Sequence, residues 1–322
     1  MSNKDTLKYN FSNNRSLLDT LEVTSEIFKS KSHESLYRSA IRKARNNEKV
    51  KVLFDVSGYN PYWKAFHCNE VKFQSEKELK GSLCRKRWCN HCNRIRTAEL
   101  IKGYQQPLQQ LSTQDKLYMV TLTAPTVKGR QLKSEIEKRY KAFTKVKDRL
   151  RKEGLKLNGI RKLEVTYNEN KDLFHPHFHF LIQGEKEAYR LRKEWLIEYT
   201  TADIKAQDVT EIGTTAKDLM EVFKYATKDI VKDETTALAT HVIFQALMGR
   251  RSFQTFGVIR KVKPPKKSKI ESVEHDWLES KYDIWYFNQD EKDYDNVYGE
   301  MLIGTSYIEH QIKEKTRKTH EK

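Results

Sequence analysis

Between Lys116 and about Val262 the hydrophobic positions change period in a regular order. The β-rich run LYMVTLTA (Leu117–Ala124) is ended by Pro125. The apolar residues that follow recur on one face of a helix: Leu132, Ile136, Phe143, Val146 and Leu150. This stretch therefore predicts a strand followed by an amphipathic helix.

The alternation of strand and helix patterns continues along this region. Ile160–Tyr167 alternates and is followed by the turn-rich NENKD, so the next strand, about Phe174–Ile182, is expected to return antiparallel as a hairpin. The further predicted elements are a helix through Tyr189, Trp195 and Leu196, a strand at Asp203–Ile212, a helix from a Thr215/Asp218 capping box to about Ile230, and a strand near Ser252–Ile259.

The order strand, helix, strand, strand, helix, strand is the split βαβ arrangement of ferredoxin-like domains. The predicted fold class is therefore α+β, with a ferredoxin-like or RRM-like antiparallel sheet and its helices in residues 116–262. Residues 1–115 contain a predicted helix around Ser35–Arg45 and every cysteine. Residues 263–322 are predicted to form a basic linker and a helical segment around Trp277–Tyr298.

The composition is that of a polar globular protein. Hydrophobic residues make up 37% and charged residues 33%, while Tyr 16, Phe 14 and Trp 5 supply aromatic surface for a core. Lys+Arg 61 against Asp+Glu 44 gives a formal charge of +17, which favours nucleic acid as the partner, with an anionic membrane surface as the rival. No stretch approaches about 18 consecutive apolar residues, and the start MSNKDTLKYN has no hydrophobic signal core, so we expect a cytosolic protein without a membrane span.

The four cysteines fall in one short basic segment: Cys68, Cys84, Cys89 and Cys92. The last two form Cys-x-x-Cys, a spacing by which one tight turn presents two thiolates to one metal. Four thiolates satisfy tetrahedral Zn²⁺, and disulfides are disfavoured in a reducing cytosol. The sequence therefore predicts a structural zinc site. In the alternative, Cys68 is a buried thiol and His67 or His91 is the fourth ligand.

Basic residues and a tryptophan accompany these cysteines. Arg85, Arg87 and Arg94 supply positive charge for phosphates, and Trp88 supplies a ring on which a base can stack. We therefore expect this segment to bind DNA. The expectation fails if neutralising the three arginines leaves DNA affinity and its salt dependence unchanged.

The segment HPHFHF (His175–Phe180) carries the strongest chemical signal. Side chains alternate across a strand, so His175, His177 and His179 project from one face and the phenylalanines from the other. On the preceding strand, Glu164 can be brought beside them by hairpin pairing. Two imidazoles and a carboxylate suit Mn²⁺ or Mg²⁺ in a site left open for a phosphate oxygen. The ordinary alternative is a set of packed or solvated histidines.

The predicted helix DLMEVFKYATKDI presents three functional side chains opposite its buried stripe. Spacings of four and three make Glu221, Tyr225 and Lys228 neighbours on one helical surface. Tyrosine can act as a nucleophile, but its ordinary pKa of about 10 means that the phenolate needs help, which Lys228 can give, while Glu221 can activate a water. Taken alone, the pattern is also that of an amphipathic helix with a solvated charged face.

In combination these motifs resemble a known family. TLTAP (Thr121–Pro125), LEVTYN (Leu163–Asn168) leading into HPHFHFLI, and EVFKYATKD (Glu221–Asp229) occur in that order, downstream of CRKRWCNHC. The chain is similar in these motifs to the rolling-circle replication initiators of small Gram-positive plasmids, which belong to the HUH endonuclease superfamily. The resemblance covers roughly Cys68 to Lys228, and its motifs are specific in combination though weak singly.

The resemblance implies an initiator that recognises the double-strand origin of a plasmid and nicks one strand with a divalent ion. It implies that His177 and His179 are metal ligands and that Tyr225 is the nucleophile, which becomes linked to the 5′ phosphate. Lys228 matches the lysine of the family's Tyr-x-x-Lys motif, and Glu221 falls where this subgroup places the glutamate that activates water at termination. Glu164 as the third ligand is an inference from strand pairing.

The implied partners are origin DNA with a single-stranded or hairpin-extruded nick site, a host helicase, and the host polymerase that extends the freed 3′ hydroxyl. The oligomeric state stays open, a dimer included. One rival is another HUH enzyme, a relaxase or a single-strand transposase; relaxases usually place the tyrosine before the histidines, and small transposases lack the zinc segment. The other rival is a non-enzymatic zinc DNA-binding regulator, which metal-dependent cleavage would exclude.

Overall fold

The computed structural model describes residues 33–75, 79–223, 230–261 and 282–304, apart from the side chains of residues 33–35 and 221. Among these residues it contains helices and two antiparallel sheets, so the predicted α+β class is confirmed. The α-helices are α1 His33–Ser57, α2 Trp63–Phe66, α3 Asn90–Ser112, α4 Gly129–Lys152, α5 Glu185–Glu198, α6 Ala216–Phe223 and α7 Glu234–Leu247. The strands are β1 Val71–Gln74, β2 Leu79–Gly81, β3 Leu117–Leu122, β4 Gly159–Asn168, β5 Leu173–Gln183, β6 Asp208–Ile212, β7 Phe253–Phe256, β8 Asp283–Asn288 and β9 Asp293–Asp295.

The described residues belong to two compact units. The first takes its residues from Met1–Val50, Pro61–Cys92 and Lys267–Lys322, and the second from Lys51–Asn60 and Asn93–Lys266. The first unit therefore combines segments that are far apart along the chain, because β1 pairs with β8. The predicted segments 1–115, 116–262 and 263–322 follow the chain and do not coincide with these units.

The sheet of the first unit has the strand order β2-β1-β8-β9, and all its pairs are antiparallel. The predicted helical C-terminal segment is wrong for the described residues 282–304, which contain β8 and β9. The run IWYF explains the strand, since aromatic and β-branched residues favour a half-buried pleated surface. Ile284 packs with the cluster of Val71 and Phe73, and Trp285 packs with that of Leu36 and Ala40.

The sheet of the second unit has the strand order β6-β3-β5-β4-β7 and is also antiparallel throughout. The elements from β3 to β6 follow the predicted order strand, helix, strand, strand, helix, strand, which is the split βαβ arrangement. The predicted extra strand is β7, which extends the sheet beside β4. The hairpin of β4 and β5 is confirmed over ten paired positions, from Gly159 opposite Ile182 to Asn168 opposite Leu173.

Both faces of this second sheet bury hydrophobic residues, but with different helices. One face packs Phe178 and Phe180 against α4, α5 and α7. The other face packs Ile160 and Leu181 against α3 and α6. Each large apolar side chain buried in this way contributes about 1.5–3 kcal/mol relative to an exposed one. The second core covers only part of its face, and the functional residues lie on the same face along the same strands.

Helix signals explain part of the helical structure. The predicted capping box is confirmed, because Thr215 donates its backbone N–H to Asp218 Oδ2 at 3.0 Å and Asp218 donates its own to Thr215 Oγ1 at 3.2 Å. Three helices, α2, α3 and α7, were not predicted. A comparable signal does start α7, where Asp233 accepts from the backbone of Thr236 at 2.8 Å, whereas α3 contains Pro107. No helix in the described part of the chain is both long and apolar enough to cross a membrane.

Candidate functional site

Strand pairing brings the predicted metal ligands together on one face of the second sheet. Glu164 of β4 lies directly opposite His177 of β5, and His179 follows two residues later on the same face. The ligand atoms of these three residues all lie within 4.8 Å of one another. The intervening Phe178 is fully buried on the opposite face, so the hydrophobic core fixes the direction in which the imidazoles point. These three residues could hold a metal ion.

Hydrogen bonds orient both imidazoles. His177 Nδ1 lies 3.0 Å from the carbonyl oxygen of His175 and must donate to it, since a carbonyl only accepts. Neutral His177 therefore keeps its lone pair on Nε2. His179 Nδ1 lies 3.1 Å from the hydroxyl of Thr121, which is its direct partner on β3. A bond at Nδ1 that leaves Nε2 for the cation is the usual arrangement around a ligating histidine.

The carboxylate of Glu164 is surrounded by donors. Its Oε2 lies 3.5 Å from His179 Nε2 and 3.1 Å from the ammonium of Lys162. Burial raises the pKa of Glu164, but the bond from His179 and the charge of Lys162 outweigh burial and bring the pKa to about 2. Glu164 is therefore an anion at neutral pH.

Burial has the opposite consequence for the histidines. It lowers the pKa of His177 to about 4, because an imidazolium loses more hydration than a neutral imidazole. Burial, with a smaller effect from Arg139, also lowers the pKa of His175. His175 stacks on His177 with ring centroids 5.0 Å apart but does not belong to the group of three ligands. Neutral His177 and ionised Glu164 are the forms in which these groups bind a metal.

The predicted nucleophile and lysine, Tyr225 and Lys228, lie outside the described residues, as does the side chain of Glu221. The described residues on either side are anchored to defined positions of the second unit. Phe223 contacts Phe253 with ring centroids 5.5 Å apart and the rings tilted by 43°, and Phe253 lies directly opposite Lys162 of β4.

On the C-terminal side of that gap, Lys232 Nζ lies 2.7 Å from Glu169 Oε2, at the turn that follows β4. Through Phe253, the contact of Phe223 lies beside position 162 of β4, and the contact of Lys232 lies at position 169 in the turn after β4. Glu164 lies between these two positions in sequence. Strand β7 pairs only with Gly159–Lys162, so Glu164 lies where β4 has no partner strand on that side among the described residues.

The four cysteines form a second group of potential ligands, in the first unit. Their sulfur atoms all lie within 4.8 Å of one another, with Cys68 Sγ 3.4 Å from Cys92 Sγ. Backbone N–H groups donate to the sulfurs, from Arg85 to Cys92 at 3.2 Å and from Cys84 to Cys68 at 3.4 Å. This geometry favours Cys68 as the fourth ligand over His67, whose Nδ1 lies 2.7 Å from Glu70.

The electrostatics of this cysteine cluster call for a cation. Hydrogen bonds from the neighbouring thiols lower the pKa of Cys89 well below its usual range, whereas the bonds among the thiols raise the pKa of Cys68. Four thiols in one buried place cannot all ionise without a compensating positive charge, so the donor set fits a metal ion. The buried ammonium of Lys43 supplies some compensation; burial lowers its pKa, and Glu70 and Cys68 oppose that effect.

The predicted DNA-binding residues have different environments. Arg85, Arg87 and Arg94 are exposed. Arg85 has a positive φ of 54°, and its N–H bond to Cys92 helps to hold this strained backbone. Trp88 is half-buried and meets the ring of Tyr62 edge-on at 5.3 Å, so one of its surfaces is occupied by packing. Their role in DNA binding stays a prediction.

Sequence reasoning missed three residues that shape these sites: Lys43, Thr121 and Lys162. The alternation rule could have found Lys162, which is two residues before Glu164 and so shares its face. Thr121 occurs within TLTAP, but its pairing with His179 depends on the register of β3 against β5. Lys43 donates to the carbonyl oxygen of Phe66 at the end of α2, and no pattern in the sequence predicts that contact.

Comparison with known proteins gives a consistent result. The model of the Rep_1 family, described as "Replication protein", matches residues 76–301. A protein named "Protein rep" from Staphylococcus aureus is 29% identical over 210 residues, which cover 58% of this chain and 91% of that protein. Proteins of the same name from Streptococcus pneumoniae serotype 2 and a Bacillus species are 22% and 26% identical, and the matches span 65% and 59% of their lengths and 60% and 48% of this chain. No solved structure matches the chain.

Proposed function

Because the chain belongs to the Rep_1 family of replication proteins, as its resemblance to plasmid rolling-circle initiators predicts, we propose that it nicks one strand of a plasmid origin through a covalent phosphotyrosine. The observation that carries this proposal is the grouping of Glu164, His177 and His179 on one face of the sheet. A replication protein that only bound DNA would have no need for two imidazoles and an ionised carboxylate in one place.

The residues present fit a divalent cation such as Mn²⁺ or Mg²⁺. His177 and His179 have their Nδ1 atoms bonded, so an ion would bind at Nε2 of each and take the place of the contact between His179 Nε2 and Glu164 Oε2. Glu164 is ionised. A mixed set of nitrogen and oxygen ligands with open positions suits a metal that must also accept a phosphate oxygen. When bound, such an ion polarises the scissile phosphate and offsets the negative charge that develops on it.

The described residues on either side of Tyr225 in the sequence support it as the nucleophile. Helix α6 packs on the face of the second sheet that carries Glu164, whereas α7 packs on the opposite face. Phe223, at the end of α6, contacts Phe253, and Lys232, before α7, bonds Glu169. Phe253 is paired with position 162 of β4, so the two contacts lie at positions on either side of Glu164 in sequence, and we propose that Tyr225 acts there.

The proposed reaction is a direct displacement at phosphorus. The phenolic oxygen of Tyr225 forms a bond to the phosphorus while the bond from phosphorus to the 3′ oxygen breaks. The phenol gives its proton to solvent, and the leaving oxygen takes up a proton to become the 3′ hydroxyl from which the host polymerase extends. Lys228 is proposed to favour the phenolate or to hold the phosphate.

Termination is proposed to use the same site in a second displacement. Glu221 takes a proton from a water, whose oxygen bonds to phosphorus as the bond to Tyr225 breaks and the phenol is restored. The strand must be single-stranded or extruded, because a nucleotide inside a closed duplex cannot easily enter a cleft of this kind. A host helicase is the proposed partner that supplies further single strand.

The cysteine cluster is proposed to hold structural Zn²⁺. Four sulfur ligands close a tetrahedral site, so no position is left for a substrate. The ion would hold together a segment that presents Arg85 and Arg87 at the surface, and we propose that these residues with Trp88 and Arg94 contact origin DNA.

The test is the formation of a protein–DNA adduct. The full chain is mixed with Mn²⁺ and single-stranded DNA from the cognate origin, and the adduct is scored after boiling in detergent. We expect an adduct with wild type and none with Tyr225→Phe or in the presence of a chelator. Tyr189→Phe is the matched control, since it removes a partly exposed hydroxyl from α5 of the same unit and should leave the adduct unchanged.

Two outcomes would contradict this proposal. An adduct that persists in Tyr225→Phe would assign the attack to another residue. Absence of any adduct from the wild type, with metal bound and DNA captured, would favour a non-enzymatic DNA-binding protein. Glu221→Ala should still nick but fail to release the DNA, and a loss of nicking in a folded variant would reject the division of roles.

A further inference from the structure

Lys162 is a charged residue in a place where an apolar one would pack. Its side chain is only 4% exposed, and its Nζ lies 3.1 Å from Glu164 Oε2. Two residues earlier on the same strand and face, Ile160 is fully buried in the hydrophobic core. Burying an ammonium is unfavourable unless its partners compensate, so a lysine at this position needs a reason beyond packing.

The contact of Lys162 involves the same oxygen that a metal ion would need. Glu164 Oε2 faces His179 Nε2 at 3.5 Å and is thus the carboxylate oxygen directed at the imidazoles. A cation placed among the three ligands would share this oxygen with the ammonium. Two positive charges on one oxygen repel each other, and the repulsion is stronger in a buried site than in water. Lys162 therefore opposes the binding of the metal.

The positive charge of Lys162 can favour the reaction even though it opposes metal binding, because the reacting phosphate gains negative charge in the transition state. A divalent cation and one carboxylate carry one net positive charge, and Lys162 raises the total to two. A phosphodiester under attack by a phenolate carries two negative charges in the transition state, whereas the diester alone carries one. The positive charge of Lys162 therefore stabilises the transition state more than the bound substrate, whatever other charges the site holds. Such a difference favours catalysis.

We infer that Lys162, acting through Glu164, sets the charge of the site to suit the reacting phosphate and does so at the expense of metal affinity. The inference rests on the proposed nicking function. Lys162 is a positioning residue in this account, because its ammonium contacts the carboxylate and not the substrate. A residue with a purely structural role would have to support metal binding and cleavage alike.

The opposite signs of the two effects allow a sharp test. Mn²⁺ affinity is measured by calorimetry on the full chain, and the rate of adduct formation is measured in a single turnover at saturating Mn²⁺. For Lys162→Met we expect Mn²⁺ to bind about tenfold more tightly, since the repulsion is gone. We expect the adduct to form about 100-fold more slowly, because one fixed positive charge near the transition state is lost.

Three variants separate charge from hydrogen bonding and from folding. Lys162→Gln keeps a donor without the charge and should behave as Lys162→Met does, while Lys162→Arg keeps the charge and should stay within about threefold of wild type in both measurements. Lys80→Met is the matched control: it removes another buried ammonium, bonded to the Tyr282 hydroxyl at 2.6 Å in the first unit, and should leave Mn²⁺ affinity unchanged.

Mn²⁺ affinity that is unchanged or weaker in Lys162→Met would overturn the inference, and so would a rate equal to wild type. If wild type itself binds Mn²⁺ yet forms no adduct with origin DNA, the proposed nicking function fails. If wild type forms the adduct and Lys162→Met forms it equally fast, this inference alone fails.

Discussion

The two groups of potential metal ligands in this protein are built on opposite plans. In the first unit, four cysteine sulfurs gather with backbone N–H groups directed at them. In the second unit, Glu164, His177 and His179 gather on one face of a sheet. A hydroxyl and a carbonyl oxygen bond the Nδ1 atoms of the two imidazoles. The first arrangement surrounds its centre with ligands, whereas the second leaves positions open.

The difference teaches how ligand chemistry separates a structural from a reactive site. Four thiolates complete a tetrahedron and make the stability of their segment depend on the ion. Two imidazoles and a carboxylate on a rigid sheet do not complete any coordination sphere, and the sheet keeps its own hydrophobic cores with or without an ion. Removing a ligand should therefore unfold the first site but only inactivate the second.

The largest effect is expected for the cysteine cluster. Cys89→Ser should abolish zinc binding and destabilise the first unit by several kcal/mol, because binding and folding are coupled in such segments, with apparent zinc free energies of about 10–16 kcal/mol. Mass spectrometry under native conditions would show the loss of zinc. Limited proteolysis within the strands of the first unit would show the loss of stability. To distinguish the four-sulfur set from the alternative with a histidine ligand, zinc is measured in Cys68→Ser, His67→Ala and His91→Ala. The four-sulfur set predicts that zinc is lost from Cys68→Ser and retained in both histidine variants.

The next effect concerns the histidine site. His177→Ala should weaken Mn²⁺ binding by more than the 10–100-fold that loss of an outer partner typically causes, while zinc content and the unfolding temperature of the chain change little. Titration with Mn²⁺ followed by calorimetry measures the first and a thermal melt the second. His175→Ala, which removes an imidazole from the same face but outside the three ligands, should cost much less. Equal losses of Mn²⁺ affinity in the two variants would contradict the assignment of His177 rather than His175 as the ligand.

A pH effect of intermediate size follows from the burial of His177. Its pKa of about 4 in the fold lies below the ordinary 6.5, so between these values the unfolded chain binds more protons and the free energy of unfolding falls as the pH falls. The loss should reach about 3 kcal/mol at pH 4 in protein without Mn²⁺. Urea unfolding of wild type and His177→Gln between pH 4 and pH 7 isolates this contribution, and parallel profiles would contradict it. The lowered pKa of Glu164 makes a separate contribution to the free energy of unfolding, which is lost as the pH falls from 4.5 to about 2.

The smallest effect tests how the imidazoles are held. Thr121→Val removes the hydroxyl that lies 3.1 Å from His179 Nδ1 and should weaken Mn²⁺ binding about tenfold, as loss of an outer partner does. Thr210→Val is the matched control on the neighbouring strand β6, where the hydroxyl bonds Asp208 at 2.8 Å away from the ligand set. An unchanged affinity in Thr121→Val would mean that strand packing alone fixes the orientation of His179.

Much of the second unit could be predicted because its signals are local. The alternation in HPHFHF separates the imidazoles from the phenylalanines, and the Thr215/Asp218 pair marks the start of α6. The hairpin turn between β4 and β5 then places Glu164 opposite His177. Helix α3 was not predicted because it contains Pro107, which disfavours a helix. The packing of Tyr104 and Leu108 into a hydrophobic core outweighs that local preference.

The sequence by itself determined the ligand types, their alternation on β5 and the cysteine spacing, because periods of two residues and short turns are properties of neighbouring residues. Only the tertiary structure decided that β8 pairs with β1, that Thr121 meets His179, and that Lys162 and His179 meet on one oxygen of Glu164. Such contacts depend on which strands pair across long distances in the sequence. That pairing is determined by the register of the strands and by the total surface that the fold buries, and no local pattern encodes either.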